Sequence, residues 1–94
     1  MIAIPLDAGS KEPIYEQIYK YIRQEIISGN ITFGTRLPSS RGLATNLSVS
    51  RNTIDMAYGQ LVSEGYIEAI PQKGYYVSDL ENLYEEGIEV KPLE

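Results

Sequence analysis

The sequence has no cysteine, no histidine and no tryptophan, and only one phenylalanine. The missing cysteines exclude disulfides and thiolate metal sites. With histidine absent as well, the commonest general base and the best nucleophile are both gone. The carboxylates are mostly scattered, and no spacing places two of them in a shared cleft. The chain therefore reads as non-enzymatic, with no catalytic residues and no metal. No apolar run approaches the length of a membrane span. The opening MIAIPLDAGS lacks a basic region and a long apolar core, so it is not expected to act as a secretory signal. These absences fit a cytoplasmic protein with no membrane partner.

What is present is a modest globular composition. Ninety-four residues, 43% of them hydrophobic, suffice for one small domain. The net charge of −5 is unevenly placed. Residues 1–30 carry three positive and four negative side chains, residues 31–77 four and three, and residues 78–94 one and six. The acidity belongs to the end of the chain. The stretch LPSSRGLATNLSVSRNT, from Leu37 to Thr53, holds two arginines and no acid. Local charge of this kind speaks to partners, while the global balance speaks to solubility.

Apolar residues at Ile14, Ile18, Tyr21, Ile22 and Ile26 form a helical stripe after Pro13, stopped by Gly29-Asn30. The spacing predicts a first helix over about 14–28, with Tyr15, Tyr19 and Tyr21 packing in or beside the core. Residues 31–36 read as an extended link and turn around Gly34. Pro38 disfavours helix at Leu37, and Ser39 can cap a short helix carrying Leu43, Ala44 and Leu47. After a brief turn at Ser48-Val49, Ser50 caps a third helix with the stripe Ile54, Ala57, Tyr58, Leu61 and Val62, ended by Gly65. Strand-like Tyr66–Ile70 and Tyr75–Val77 flank the turn Pro71-Gln72-Lys73-Gly74. Three helices followed by a β-hairpin describe a winged helix-turn-helix, mainly α with a small hairpin, over residues 1–78. Residues 79–94 read as an acidic linker or tail.

In such a fold the third helix enters the major groove of DNA and the other elements hold phosphates. The stripe of helix three leaves Arg51, Asn52, Asp55 and Met56 facing away from the core, with Thr53 at the boundary. Arg51 can read guanine or clamp a phosphate, and Asn52 can pair with adenine. The Ser50 hydroxyl and the first-turn N–H groups can meet a phosphate at the positive end of the helix dipole. Arg41 lies in the first turn of helix two, where a cation opposes the dipole. Phosphate contact gives it a role there, and Arg36, just before the same helix, could act likewise. Lys73-Gly74 lies at the hairpin tip, within reach of the minor groove or a phosphate. Asp55 would repel phosphates unless it accepts from cytosine or orients Arg51 at i, i+4.

The segment from Pro13 to Val77 resembles the N-terminal winged-helix domain of the GntR family of bacterial transcription regulators. The resemblance is carried, in order and spacing, by G-x-x-x-x-G-x-x-LPSSR-x-LA, VSRNT, AY-x-QL-x-x-EGY and KGYYV. The form PIYEQIYKYIR…GTRLPSSR…AYGQLVSEGY is most similar to the MocR subfamily. The resemblance implies sequence-specific binding to double-stranded operator DNA, with a recognition helix at about 50–64 and a wing at about 66–77. The implied DNA-binding set is Arg36, Ser39, Arg41, Ser50, Arg51, Asn52, Thr53, Lys73 and Gly74. Three positions depart from the family pattern: Gly42 where Glu is frequent, Asp55 where a basic or neutral residue is common, and Gln72 in place of the first wing glycine. In MocR-like proteins a linker leads to an aminotransferase-like domain that binds pyridoxal phosphate. That domain and its cofactor are expected only in a longer parent, and none in this chain. Self-association of the head is left open, and is expected to be stronger in a full-length parent. The alternative use of the fold is as a protein-protein interaction module, through Tyr66, Tyr75 and Tyr76 on the hairpin.

Overall fold

The computed structural model describes residues 3–79. Its elements run α1 (Ile14–Ile27), α2 (Ser40–Leu47), α3 (Arg51–Ser63), β1 (Ile67–Ile70) and β2 (Gly74–Val77). The expected winged helix-turn-helix is the architecture observed. The acidic residues 80–94, read as linker or tail, lie outside the described residues.

Helix α1 starts after Pro13, which occupies the cap position in an extended conformation and has no side-chain cap bond. A side chain from within the helix secures this end instead. Gln17 accepts from the Asp7 backbone N–H at 2.8 Å and donates to the carbonyls of Asp7 and Glu12 at 3.0 and 2.9 Å. This ties the preceding segment to the helix and places Ile4 in the core. The chain leaves α1 through Gly29 at φ +86°, a value that glycine adopts without strain.

Helix α3 is the central element, packing on α1, α2 and β1. Ile54, Ala57, Tyr58 and Leu61 are fully buried along one face, opposite Ile18 and Ile22 of α1 and Leu43 of α2 in the same cluster. Each buried Ile or Leu contributes on the order of 1.5–3 kcal/mol through apolar burial. Val62, expected in this stripe, is exposed instead. It lies in the last turn, beyond the face that the other helices cover. In α1, Tyr19 is buried whereas Tyr21 is only half-buried, so the core face is rotated slightly from the predicted stripe. The turn between α2 and α3 passes through Ser48 in the left-handed conformation (φ 57°, ψ 43°). The Val49 N–H donates to the Ala44 carbonyl at 3.0 Å and fixes the angle between the two helices.

The hairpin pairs Ile67 with Val77 and Ile70 with Gly74 in antiparallel register. Its second strand is also paired on its other side. Val77 N–H donates to the Thr35 carbonyl, and Leu37 N–H donates to the Tyr75 carbonyl, both at 2.9 Å. Arg36 forms a bridge with Tyr76. The segment predicted as a link between α1 and α2 thus pairs with β2 through an isolated bridge at the edge of the two-stranded wing.

Candidate nucleic-acid interface

Ser50 and Thr53 build the start of α3. The Ser50 Oγ accepts from the Thr53 N–H at 3.1 Å, and the two hydroxyls are hydrogen-bonded at 2.7 Å. Both residues therefore organise the first turn, whose remaining N–H groups point outward from the helix end. Arg51 and Asn52 follow on the exposed side, and Thr53 is half-buried. One turn further on, each of these two side chains has a partner. Arg51 Nε lies 3.9 Å from Asp55 Oδ2, and Asn52 Nδ2 donates to Met56 Sδ at 3.6 Å. The side chains of Arg51 and Asp55 are 62% and 47% exposed, so this ion pair adds little to folding. The face bearing Arg51, Asn52, Asp55 and Met56 is the one opposite the buried stripe, as the sequence predicts.

Helix α2 repeats the device. Ser39 accepts from the Gly42 N–H at 3.0 Å, and Arg41 is exposed in the first turn. A Cβ on Gly42 would approach Ser39 Oγ to 3.0 Å. The departure at Gly42 therefore leaves room for the capping hydroxyl.

Arg36 precedes α2 in the chain, and the structure sets it against the wing. Its side chain crosses the tip of the wing, with Nε 3.3 Å and Nη2 3.6 Å from the position of a Cβ on Gly74. The bridge between Arg36 and Tyr76 directs it there. Gly74 has φ +121°, so its lack of a side chain serves both the backbone and the passing guanidinium. Lys73 is exposed at the same tip, and its N–H donates to the Ile70 carbonyl at 3.0 Å. That bond closes a turn with Pro71 second and Gln72 third. Gln72 takes φ +64°, so the wing turns through the left-handed region without its usual first glycine. Arg36, Gln72, Lys73, Gly74 and Tyr75 line an open cleft at this tip.

One residue joins these parts, and the sequence reading treated it only as a stripe member. Tyr58 is fully buried on α3. Its hydroxyl donates to the Pro38 carbonyl at 2.7 Å, just before α2, and its ring meets Tyr75 of β2 edge-on at 4.7 Å. Burial, with a smaller contribution from Tyr75, raises its pKa well above the ordinary tyrosine value. A tyrosine within an otherwise aliphatic stripe was the available signal, since a buried hydroxyl requires a partner. A second network lies near the C-terminal end of α3. The Tyr19 hydroxyl contacts Glu64 and accepts from Arg23 at 2.6 Å.

The tyrosine surface proposed for protein contact does not form as expected. Tyr66 is 3% exposed, and Tyr75 and Tyr76 are half-buried. The Tyr66 N–H donates to the Leu61 carbonyl, and its own carbonyl accepts from Ser78, which seats the residue in the core.

Comparison with known proteins gives consistent matches. Residues 14–77 match the family described as bacterial regulatory proteins, gntR family. The chain is 49% identical over 76 residues to an uncharacterized HTH-type transcriptional regulator, YhdI, of Bacillus subtilis, covering 81% of this chain and 16% of the relative. It is 40% identical over 75 residues to the probable rhizopine catabolism regulatory protein MocR of Rhizobium meliloti, covering 80% and 15%. Among solved structures, AraR(DBD) in complex with an operator has a TM-score of 0.68 at 31% identity, covering 82% of this chain and 93% of that one. The chain thus spans about a sixth of the length of the two full-length relatives.

Proposed function

We propose, on the premise that this chain belongs to the GntR family of bacterial regulatory proteins, that it is the sequence-specific, double-stranded DNA-binding head of a transcription regulator. The observation that carries the reading is the placement of four cations. Arg41 and Arg51 stand in the first turns of α2 and α3, and Arg36 and Lys73 stand on the wing. Tyr58 connects these elements through one buried hydroxyl and one ring contact. The operator-bound AraR(DBD) shares the fold.

In this reading α3 lies in the major groove, where Arg51 and Asn52 face base edges. Ser50, Thr53 and the first-turn N–H groups of α3 meet a phosphate, and Ser39 organises the same arrangement at α2, where Arg41 meets another. Arg36 and Lys73 enter the minor groove or clamp its backbone, with Gly74 permitting the close approach. These are contacts of positioning and readout, and no step of chemistry is assigned to this chain. A cytoplasmic location follows from a DNA partner.

The parent protein is proposed to carry an aminotransferase-like domain with pyridoxal phosphate and to dimerise more strongly than this head. That part rests on the resemblance of the GTRLPSSR and AYGQLVSEGY stretches to MocR-like heads. The protein-docking alternative loses its main support with the burial of Tyr66.

The test is affinity across salt, using a duplex enriched from a random pool and a scrambled duplex of equal length. With Arg51 on a base edge, Arg36, Arg41 and Lys73 remain for phosphates, which gives a slope of log affinity against log salt of about −2.7, at roughly −0.9 per contact. The enriched duplex should bind more tightly at every salt concentration. Equal affinity for the two duplexes refutes sequence-specific binding.

A further inference from the structure

We infer that Asp55 is a positioning residue that commits Arg51 to reading a guanine rather than clamping a phosphate. The inference rests on the DNA-binding reading above and assigns a role to a residue that departs from the family pattern.

Three observations lead to it. First, Asp55 lies one helical turn after Arg51 on the same exposed face, and its Oδ2 is 3.9 Å from the Nε of Arg51. At that distance the carboxylate attracts the guanidinium from its Nε side without a hydrogen bond, and an approach from that side leaves the end-on Nη1 and Nη2 donors to another partner. An end-on pair of N–H donors matches the O6 and N7 acceptors of guanine. Second, both side chains are exposed, so the pair has little value for folding. Third, Arg51 is at the first position of α3, close to where a phosphate would meet the helix N-terminus. A carboxylate on the same face makes that phosphate position less favourable for the arginine, through the repulsion between phosphate and Asp55. Attraction at Nε and repulsion of the backbone act in the same direction, toward the groove floor.

Asp55 then differs from a residue that merely weakens binding. A simple repulsive charge lowers affinity for every duplex by a similar factor. A positioning residue changes which sequences bind, and it does so only through Arg51.

The experiment uses the 94-residue chain, the enriched duplex, the scrambled duplex, and enriched duplexes with each guanine replaced in turn. In the unmodified chain, replacing the guanine read by Arg51 should weaken binding about 5- to 150-fold. In Asp55→Asn that penalty should shrink severalfold, and the scrambled duplex should bind more tightly. The salt slope should steepen by about 0.9, the contribution of one added phosphate contact. Asp55→Ala should behave alike, and the exposure of Asp55 keeps both variants folded. In an Arg51→Gln background, Asp55→Asn should leave the guanine dependence unchanged. The inference is overturned if Asp55→Asn strengthens all duplexes equally and keeps the same guanine penalty. It is also overturned if the loss of that penalty persists without Arg51. If the unmodified chain itself shows no preference for the enriched duplex, sequence-specific binding is refuted and the inference falls with it.

Discussion

Gly74→Ala isolates the demand that the wing makes on its backbone. Gly74 has φ +121°, well outside the left-handed well that a non-glycine residue can enter. Holding alanine there costs about 1–3 kcal/mol. The new methyl would also stand 3.3 Å from Arg36 Nε. That contact involves a flexible side chain and can be relieved by moving the guanidinium, so backbone strain dominates the stability change. For a domain of this size each kcal/mol lowers Tm by roughly 4–8 °C. Thermal unfolding followed by circular dichroism should therefore show a drop of at least about 4 °C. Arg36→Ala in the same chain separates the two effects. It should recover less than about 0.5 kcal/mol of the loss, since it removes the crowding but not the strain. Full recovery in the double variant, or an unchanged Tm in Gly74→Ala, would refute this account of the wing.

Two further outcomes follow. Gln72→Gly should raise stability by about 0.5–1 kcal/mol, measured by urea unfolding, because Gln72 holds φ +64°. In alkali, Tyr19 should ionise late. Its burial, reinforced by the contact with Glu64, raises its pKa to about 12. The folded state favours the neutral phenol, so this contribution is complete below pH 10 and declines as pH rises toward 12. Absorbance of tyrosinate with parallel circular dichroism should show a late phase, and Tyr19→Phe should reduce its amplitude while leaving the part due to Tyr58.

Much of the helical layout was legible because its signals are local. Ser39 and Ser50 each precede a helix and bond to the N–H three residues on, which is the chemistry that a capping serine announces. The stripe of α3 held at Ile54, Ala57, Tyr58 and Leu61 and failed at Val62, where a periodic pattern outruns the neighbours that cover it. What was not legible depends on contacts between distant parts of the chain. Thr35 and Leu37 find their partners on Val77 and Tyr75, and nothing in the stretch around Gly34 encodes that pairing. The position of Arg36 follows from the same pairing, so its place at the wing tip was not legible from its place before α2 in the chain. Asp55 was legible as an anomaly, and the distance to Arg51 gave the anomaly a geometry.

The pairing of residues 34–37 with β2 has a consequence for the order in which the head is made. Gly34, Thr35 and Leu37 emerge from the ribosome about forty residues before Tyr75 and Val77, the residues they bond. Pairings so distant along the chain form late, after local helices and their contacts. At typical synthesis rates the gap lasts roughly two to eight seconds. During that interval α1, α2 and α3 can assemble, while Arg36 has no sheet to place it. A nascent head therefore acquires its two helix mouths first and its wing cations together and last, and completion awaits the emergence of Val77.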